Sequence, residues 1–256
     1  MPLPTEKSEK EVNHLKKKYL IYGIPKSGKT TFSANFGDDN NKTLFFCTEP
    51  GHSFVEIFKW HREDGGQPQN WNDFIDCCRE LYKGDHDFSL LCVDTVDILW
   101  NWCTDHFCKM NDITHPSEMG FGKAYQGIAK EFSNVCNMLG QKGVGFIFIS
   151  HPKEYEVKVG PRQETRTTTT LSSGAQKFIH GFVDYIWFFN KNEETDERYI
   201  LTDRHEGIMA GSRGDINDEP LPLKMKMNPF VVKKKLNEKK KLESPFWFDE
   251  EEEIEI

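Results

Sequence analysis

The chain has no uninterrupted apolar run of the length a membrane-crossing helix needs. Nor is there a leading apolar segment that could serve as a secretion signal, so the expected setting is cytoplasmic, without a membrane partner. Its seven cysteines are odd in number and scattered, which implies no disulfide framework. Cys103, His106 and Cys108 lie close together, but no second Cys/His pair completes a familiar metal spacing. Their neighbours Trp100, Trp102 and Phe107 point instead to a helix packed into a core. Apolar content is also low, at 37%, with a mean hydropathy of −0.66. The polar excess is concentrated at the two ends and in a few loops, so a chain of this length is still expected to form one sizeable α/β domain. A basic excess is missing as well. Six carboxylates of the net −8 belong to Asp249, Glu250, Glu251, Glu252, Glu253 and Glu255, however, so the overall balance does not exclude a polyanionic partner.

What is present is organised around residues 19–32, Y-L-I-Y-G-I-P-K-S-G-K-T-T-F. Gly23, Gly28, Lys29 and Thr30 fit the phosphate-binding pattern G-x-x-x-x-G-K-[ST], after a buried-type strand and before a helix start. The spacing has a chemical reason. Glycines let successive backbone N–H groups curl around a phosphate chain, and the bulk of the loop, Ile24, Pro25, Lys26 and Ser27, wraps that anion. Lys29 is expected to reach the β- and γ-phosphates of ATP, with Thr31 continuing the helix beside them. Thr30 is expected to place its hydroxyl on Mg2+. Taken alone, the motif calls for ATP and Mg2+ as cofactors.

Further along, the strand at 43–48 ends at Glu49, where a carboxylate can polarise a water attacking a phosphate or simply cap the next turn near His52 and Ser53. Residues 70–82 have helical spacing, with Asn70 or Asn72 as the cap. Residues 88–95 describe a buried parallel strand that delivers Asp94 to its C-terminal edge, as the expected second Mg2+ partner, with Asp97 as its substitute. A helix over 98–110, a loop over 111–122 and a helix over 123–139 follow. The strand at 144–150 ends in Ser150-His151-Pro152, which makes His151 either a sensor beside the nucleotide or a turn histidine.

Residues 153–170 are long and polar, carry Lys153, Lys158, Arg162 and Arg166, and are expected to be a loop. Their cations can neutralise phosphates and their threonines can bond backbone oxygens, although only Tyr155 offers a stacking face. Residues 182–189 and 198–202 read as strands joined in a hairpin. The resulting division is a basic arm over 1–17, a core over 18–214, and a flexible tail over 215–256 that is lysine-rich and then acidic.

The ordered set of phosphate loop, Glu49, Asp94, Ser150-His151, long polar loop and following small residues resembles a RecA-type ATPase core. It looks most like small phage-encoded relatives that act in recombination or single-strand annealing. Residues 167–178, T-T-T-T-L-S-S-G-A-Q-K-F, are similar to the end of the RecA loop that touches single-stranded DNA. The resemblance implies an α/β fold with a mostly parallel central sheet flanked by helices and a C-terminal antiparallel hairpin. It implies that Glu49 is the catalytic glutamate, that His151 links the γ-phosphate to the DNA loop, and that Lys29 takes part in catalysis. It implies single-stranded DNA held by Lys153, Lys158, Arg162, Arg166 and Lys177, and a homo-oligomer, ring or filament, in which Arg213 acts across the subunit interface. A phage-encoded chain would work in the host cytoplasm.

Two other classes stay open on the residues themselves. One is a low-turnover, nucleotide-switched loading protein whose acidic tail docks on a protein partner. The other is a helicase-like motor or small-molecule kinase.

Overall fold

The computed structural model describes residues 13–37, 42–192, 195 and 197–213, together with the backbone of 224–227. The N-terminal strand β1 (Lys18–Gly23) leads through the phosphate loop into α1 (Lys29–Ala34), and β2 (Lys42–Cys47) and the two-residue β3 (Phe58–Lys59) follow. Next come α2 (Trp71–Lys83), β4 (Phe88–Asp94), α3 (Val96–Met110), α4 (Lys123–Gly140) and β5 (Gly145–Ser150). A hairpin of β6 (Pro152–Val159) and β7 (Arg162–Thr169) precedes α5 (Ser173–Phe182), and β8 (Tyr185–Lys191), β9 (Arg198–Leu201), β10 (Gly211–Ser212) and β11 (Lys224–Met227) complete the order.

Among the described residues the main sheet has nine strands, in the order β11-β9-β8-β1-β5-β4-β2-β3, with β10 pairing β8. From β8 to β3 every pairing is parallel, whereas β9, β10 and β11 join antiparallel at one edge. Strands such as β1 and β5 are apolar almost throughout because both of their faces are covered. Alternation within them splits the core in two. Leu20, Phe46, Val93 and Phe148 pack under α2, α3, α4 and α5, while Ile21, Phe45, Cys92 and Ile149 meet Phe32 and Phe36 around α1. The fold class is the expected one: a mostly parallel sheet between helices, carrying antiparallel β8–β9 at its edge.

Local signals account for several element ends. The Asn70 side chain caps α2 by accepting from the N–H groups of Asn72 and Asp73. Three expectations need correction. Residues 153–170 are a two-stranded antiparallel hairpin, paired from Pro152↔Thr169 to Val159↔Arg162, and not an irregular loop. Phe182 ends α5 and does not start a strand, since the β-geometry begins only at Tyr185. The backbone of Lys224–Met227 extends the sheet by pairing with β9, so these four residues are not part of a free tail. The described end of the basic arm forms a short 3-10 helix, His14–Lys16, in which His14 and Leu15 are buried, and the Leu15 carbonyl lies against Gly145.

The arrangement that seats the phosphate loop is a close approach between two strands. Gly23, the last residue of β1, has φ +149°, and a Cβ there would stand 1.9 Å from the Phe189 carbonyl oxygen of β8. Only glycine fits. Gly140, at the end of α4, has nothing within 4 Å of the same added atom. Gly23→Ala is expected to cost about 3 kcal/mol or more through clash and backbone strain. Gly140→Ala should leave stability unchanged or raise it by about 0.5 kcal/mol. Urea unfolding of the two variants checks the contrast.

Candidate nucleotide site

The C-terminal ends of β1, β2, β4 and β5 converge on one edge of the sheet, the edge at which open α/β sheets bind ligands. Here the phosphate loop turns through Lys26 at φ +64° and Gly28 at φ +97° before α1 begins. Lys29 is buried, and its Nζ donates to the Gly23 and Ile24 carbonyl oxygens of its own loop at 2.7 and 3.0 Å. Burial pulls its pKa down to about 8, with Asp94 acting in the opposite direction. Ser27 is buried in the same loop, and its Oγ has no hydrogen-bond partner. A cation satisfied only by its own carbonyls, beside an orphaned hydroxyl, fits a loop built for an anion that supplies oxygen acceptors.

Thr30 and Asp94 come together across the sheet edge, with the Thr30 hydroxyl donating to Asp94 Oδ2 at 3.0 Å. A second donor reaches the same oxygen. His52, on the 3-10 turn His52–Phe54, places Nε2 3.0 Å from Asp94 Oδ2, and both side chains are buried. The Asp94 hydrogen bond, followed by one with Cys47, pushes the His52 pKa up to about 10. Oδ1 of Asp94 accepts no hydrogen bond among the described residues, so this hard oxygen donor stands beside the Thr30 hydroxyl. That donor set suits a divalent cation bound to phosphates through oxygen and water. Asp97 is directed elsewhere, accepting from the Thr170 hydroxyl at 2.7 Å, which leaves Asp94 as the carboxylate beside Thr30.

Glu49 sits just past β2, on the loop that also carries His52. Its Oε1 accepts from the Thr95 hydroxyl at 3.2 Å and lies 3.9 Å from His151 Nε2. The Thr48 hydroxyl accepts from the Thr95 N–H at 2.7 Å, and the Thr48 N–H donates to the Asp94 carbonyl at 2.8 Å, locking the ends of β2 and β4 together. The Asp94–Thr95 peptide bond is cis. His151 occupies the single position between β5 and β6, and its carbonyl accepts from the Thr170 N–H at 2.9 Å. Glu49 and His151 thus stand between the phosphate loop and the foot of the hairpin.

In the hairpin, residues directly opposite each other share a face. The pairing puts Lys153, Tyr155, Arg162 and Arg166 on one face, with Val157, Val159 and one carboxylate, Glu164. Lys158 falls on the other face, beside Glu154 and Glu156. Lys177 is exposed on α5. The hairpin foot is clamped where the Thr167 N–H donates to the Gly207 carbonyl at 3.1 Å and the Met209 N–H donates to the Thr167 carbonyl at 3.0 Å. Arg213 is not brought to the site within the chain. It lies at the opposite end of β1, where it bonds the Gly181 carbonyl and approaches Asp184 Oδ1 at 3.6 Å, while Asp184 accepts from the Lys18 N–H.

Residue-by-residue reading of the sequence had no means of finding His52 or Thr95 as members of this site. Neither belongs to a spaced motif, and each arrives only because β2 and β4 are neighbours.

A glycine loop after a buried strand, its lysine and threonine, and a carboxylate on a nearby strand end together define a P-loop nucleotide-binding core. The chain belongs to the family described as AAA domain, whose model matches residues 15–214. No curated protein matches it. Among solved structures it is similar to the RadB recombinase, at 14% identity and a TM-score of 0.43, over 75% of this chain and 84% of that one. Among the described residues, no helix is long and apolar enough to cross a membrane.

The shared oxygen of Asp94 makes a direct prediction. Asp94→Asn takes the carboxylate from two donors, the half-buried Thr30 and the buried His52, and should lower stability by about 1–3 kcal/mol. The urea midpoint of the variant checks this.

Proposed function

We propose that this protein is a Mg2+-dependent ATPase that uses the nucleotide state to regulate its hold on single-stranded DNA, in recombination or annealing of the phage type. The observation that carries the proposal is the unbroken line of contacts from Lys29, Thr30 and Asp94, through Thr95 and Glu49, to His151 at the foot of the β6–β7 hairpin. In this reading the loop residues Gly23 to Thr31 bind the phosphates, and Thr30 and Asp94 hold Mg2+, which supplies charge neutralisation at the phosphate oxygens. Glu49 orients and polarises the attacking water. His151 lies within reach of Glu49 and belongs to the chain segment that enters β6, so a change in the position of Glu49 is felt at the hairpin.

The hairpin face with Lys153, Tyr155, Arg162 and Arg166 combines cations with an aromatic ring, the composition that tracks a single strand. The likeness of residues 167–178 to the RecA DNA loop supports the same assignment. Lys158 and Lys177 lie off that face and act as peripheral phosphate contacts. A homo-oligomer completes the reading. Arg213, held at the far edge of its own chain, reaches a nucleotide only in a neighbouring copy. The acidic residues 249–255, the candidate protein contact, lie outside the described residues.

The test is ATP turnover and DNA affinity of the purified protein, with and without single-stranded DNA, at 50 and 200 mM salt. Three phosphate contacts predict DNA affinity about twentyfold weaker at the higher salt, and DNA should accelerate turnover. Arg162→Ala with Arg166→Ala should flatten that salt dependence. Slow turnover indifferent to DNA contradicts the proposal and favours the nucleotide-switched loading protein. Transfer of the γ-phosphate to a small acceptor favours the kinase.

A further inference from the structure

We infer that His52 is a positioning residue for Asp94, holding its carboxylate toward the Mg2+–phosphate site independently of the phosphate loop. The inference rests on the nucleotide-site reading above and adds a residue to it. Two donors meet Asp94 Oδ2, and they differ in what carries them. Thr30 belongs to α1 and follows the phosphate loop, whose Lys29 and Ser27 must re-partner when phosphates enter. His52 hangs from the segment after β2, which is fastened to β4 by the Thr48–Thr95 and Thr48–Asp94 hydrogen bonds. The hold of His52 on Asp94 therefore does not depend on how the phosphate loop is arranged.

A carboxylate accepts and does not donate, so Nε2 of His52 carries the proton in this bond. Both side chains are buried, which removes competing water from Oδ2, and among the described residues no donor meets Oδ1. Hydrogen-bonded partners that orient a metal-binding carboxylate are typically worth 10–100-fold in metal affinity. The same short segment bears Glu49 three residues earlier. A shift of His52 is thereby passed to the group proposed to polarise water. His52 bonds Asp94 and acts through it.

The experiment compares His52→Gln, whose side-chain N–H can replace Nε2–H, with His52→Met, of similar shape but without a donor. Mn2+ binding is followed by electron paramagnetic resonance in the presence of saturating ADP, and ADP binding is measured separately without metal. His52→Met should weaken Mn2+ binding at least tenfold while metal-free ADP affinity stays within twofold. His52→Gln should stay within threefold of the wild type. Mn2+ affinity that is unchanged or tighter in His52→Met, or equal losses in both variants, overturns the inference. Wild-type protein that binds no ADP overturns instead the nucleotide-site reading beneath it. Should His52→Met fail to fold, nitrogen-15 spectroscopy of the wild-type imidazole decides. An Nε2-bound proton protected from exchange supports the assignment, and an unprotonated Nε2 contradicts it.

Discussion

Asp94 Oδ2 is the atom on which the organisation of this protein converges. It ends a strand buried on both faces, and it accepts from the phosphate-loop helix through Thr30 and from the segment after β2 through His52. A buried carboxylate is costly unless its charge is met by donors, and here two elements that are remote in sequence are fixed in space because each supplies one. The register that brings Cys47 opposite Asp94 between β2 and β4 sets those donors at bonding distance. Stability and site geometry are therefore the same fact at this point of the fold.

From that carboxylate the polar contacts run outward along the sheet edge and not into the core. Thr95 meets Glu49, Glu49 approaches His151, and His151 passes the chain into β6. The hairpin itself owes little to burial, because its outer positions are exposed on both faces. It is held by its own ladder and by the clamp of Thr167 between Gly207 and Met209, where an added Cβ on Gly207 would stand 2.6 Å from the Thr165 carbonyl. The hairpin is thus a projection anchored at its foot beside the sheet edge that carries Lys29, Thr30 and Asp94.

How much of this was legible in the sequence depended on how local the cause was. The phosphate loop and its flanking strand and helix follow from contiguous residues with strict steric demands, and the buried strands around Phe45, Val93 and Phe148 follow from unbroken apolar runs. The hairpin over 152–169 was missed because it buries neither face and so shows no apolar alternation. Its true signals were the β-branched residues Val157, Val159, Thr165 and Thr167 to Thr169, set around a two-residue turn with left-handed Gly160 at φ +62°. His52 and Thr95 were invisible for a different reason: they join the site through strand order, which no spacing encodes. Arg213 is a separate case: its expected role lies across a subunit interface, and within the chain the pairing of Ser212 with Tyr185 sets it at the end of β1 away from the phosphate loop.

The central claim is that the edge formed by Lys29, Thr30 and Asp94 binds a nucleotide through a divalent cation. Calorimetric titration of the wild-type protein with a non-hydrolysable ATP analogue, in Mg2+ and again in excess chelator, tests it most directly. The account predicts one nucleotide bound per chain in Mg2+ and an affinity at least about tenfold lower when the metal is removed. Absence of binding, or binding of equal strength with and without Mg2+, would contradict it.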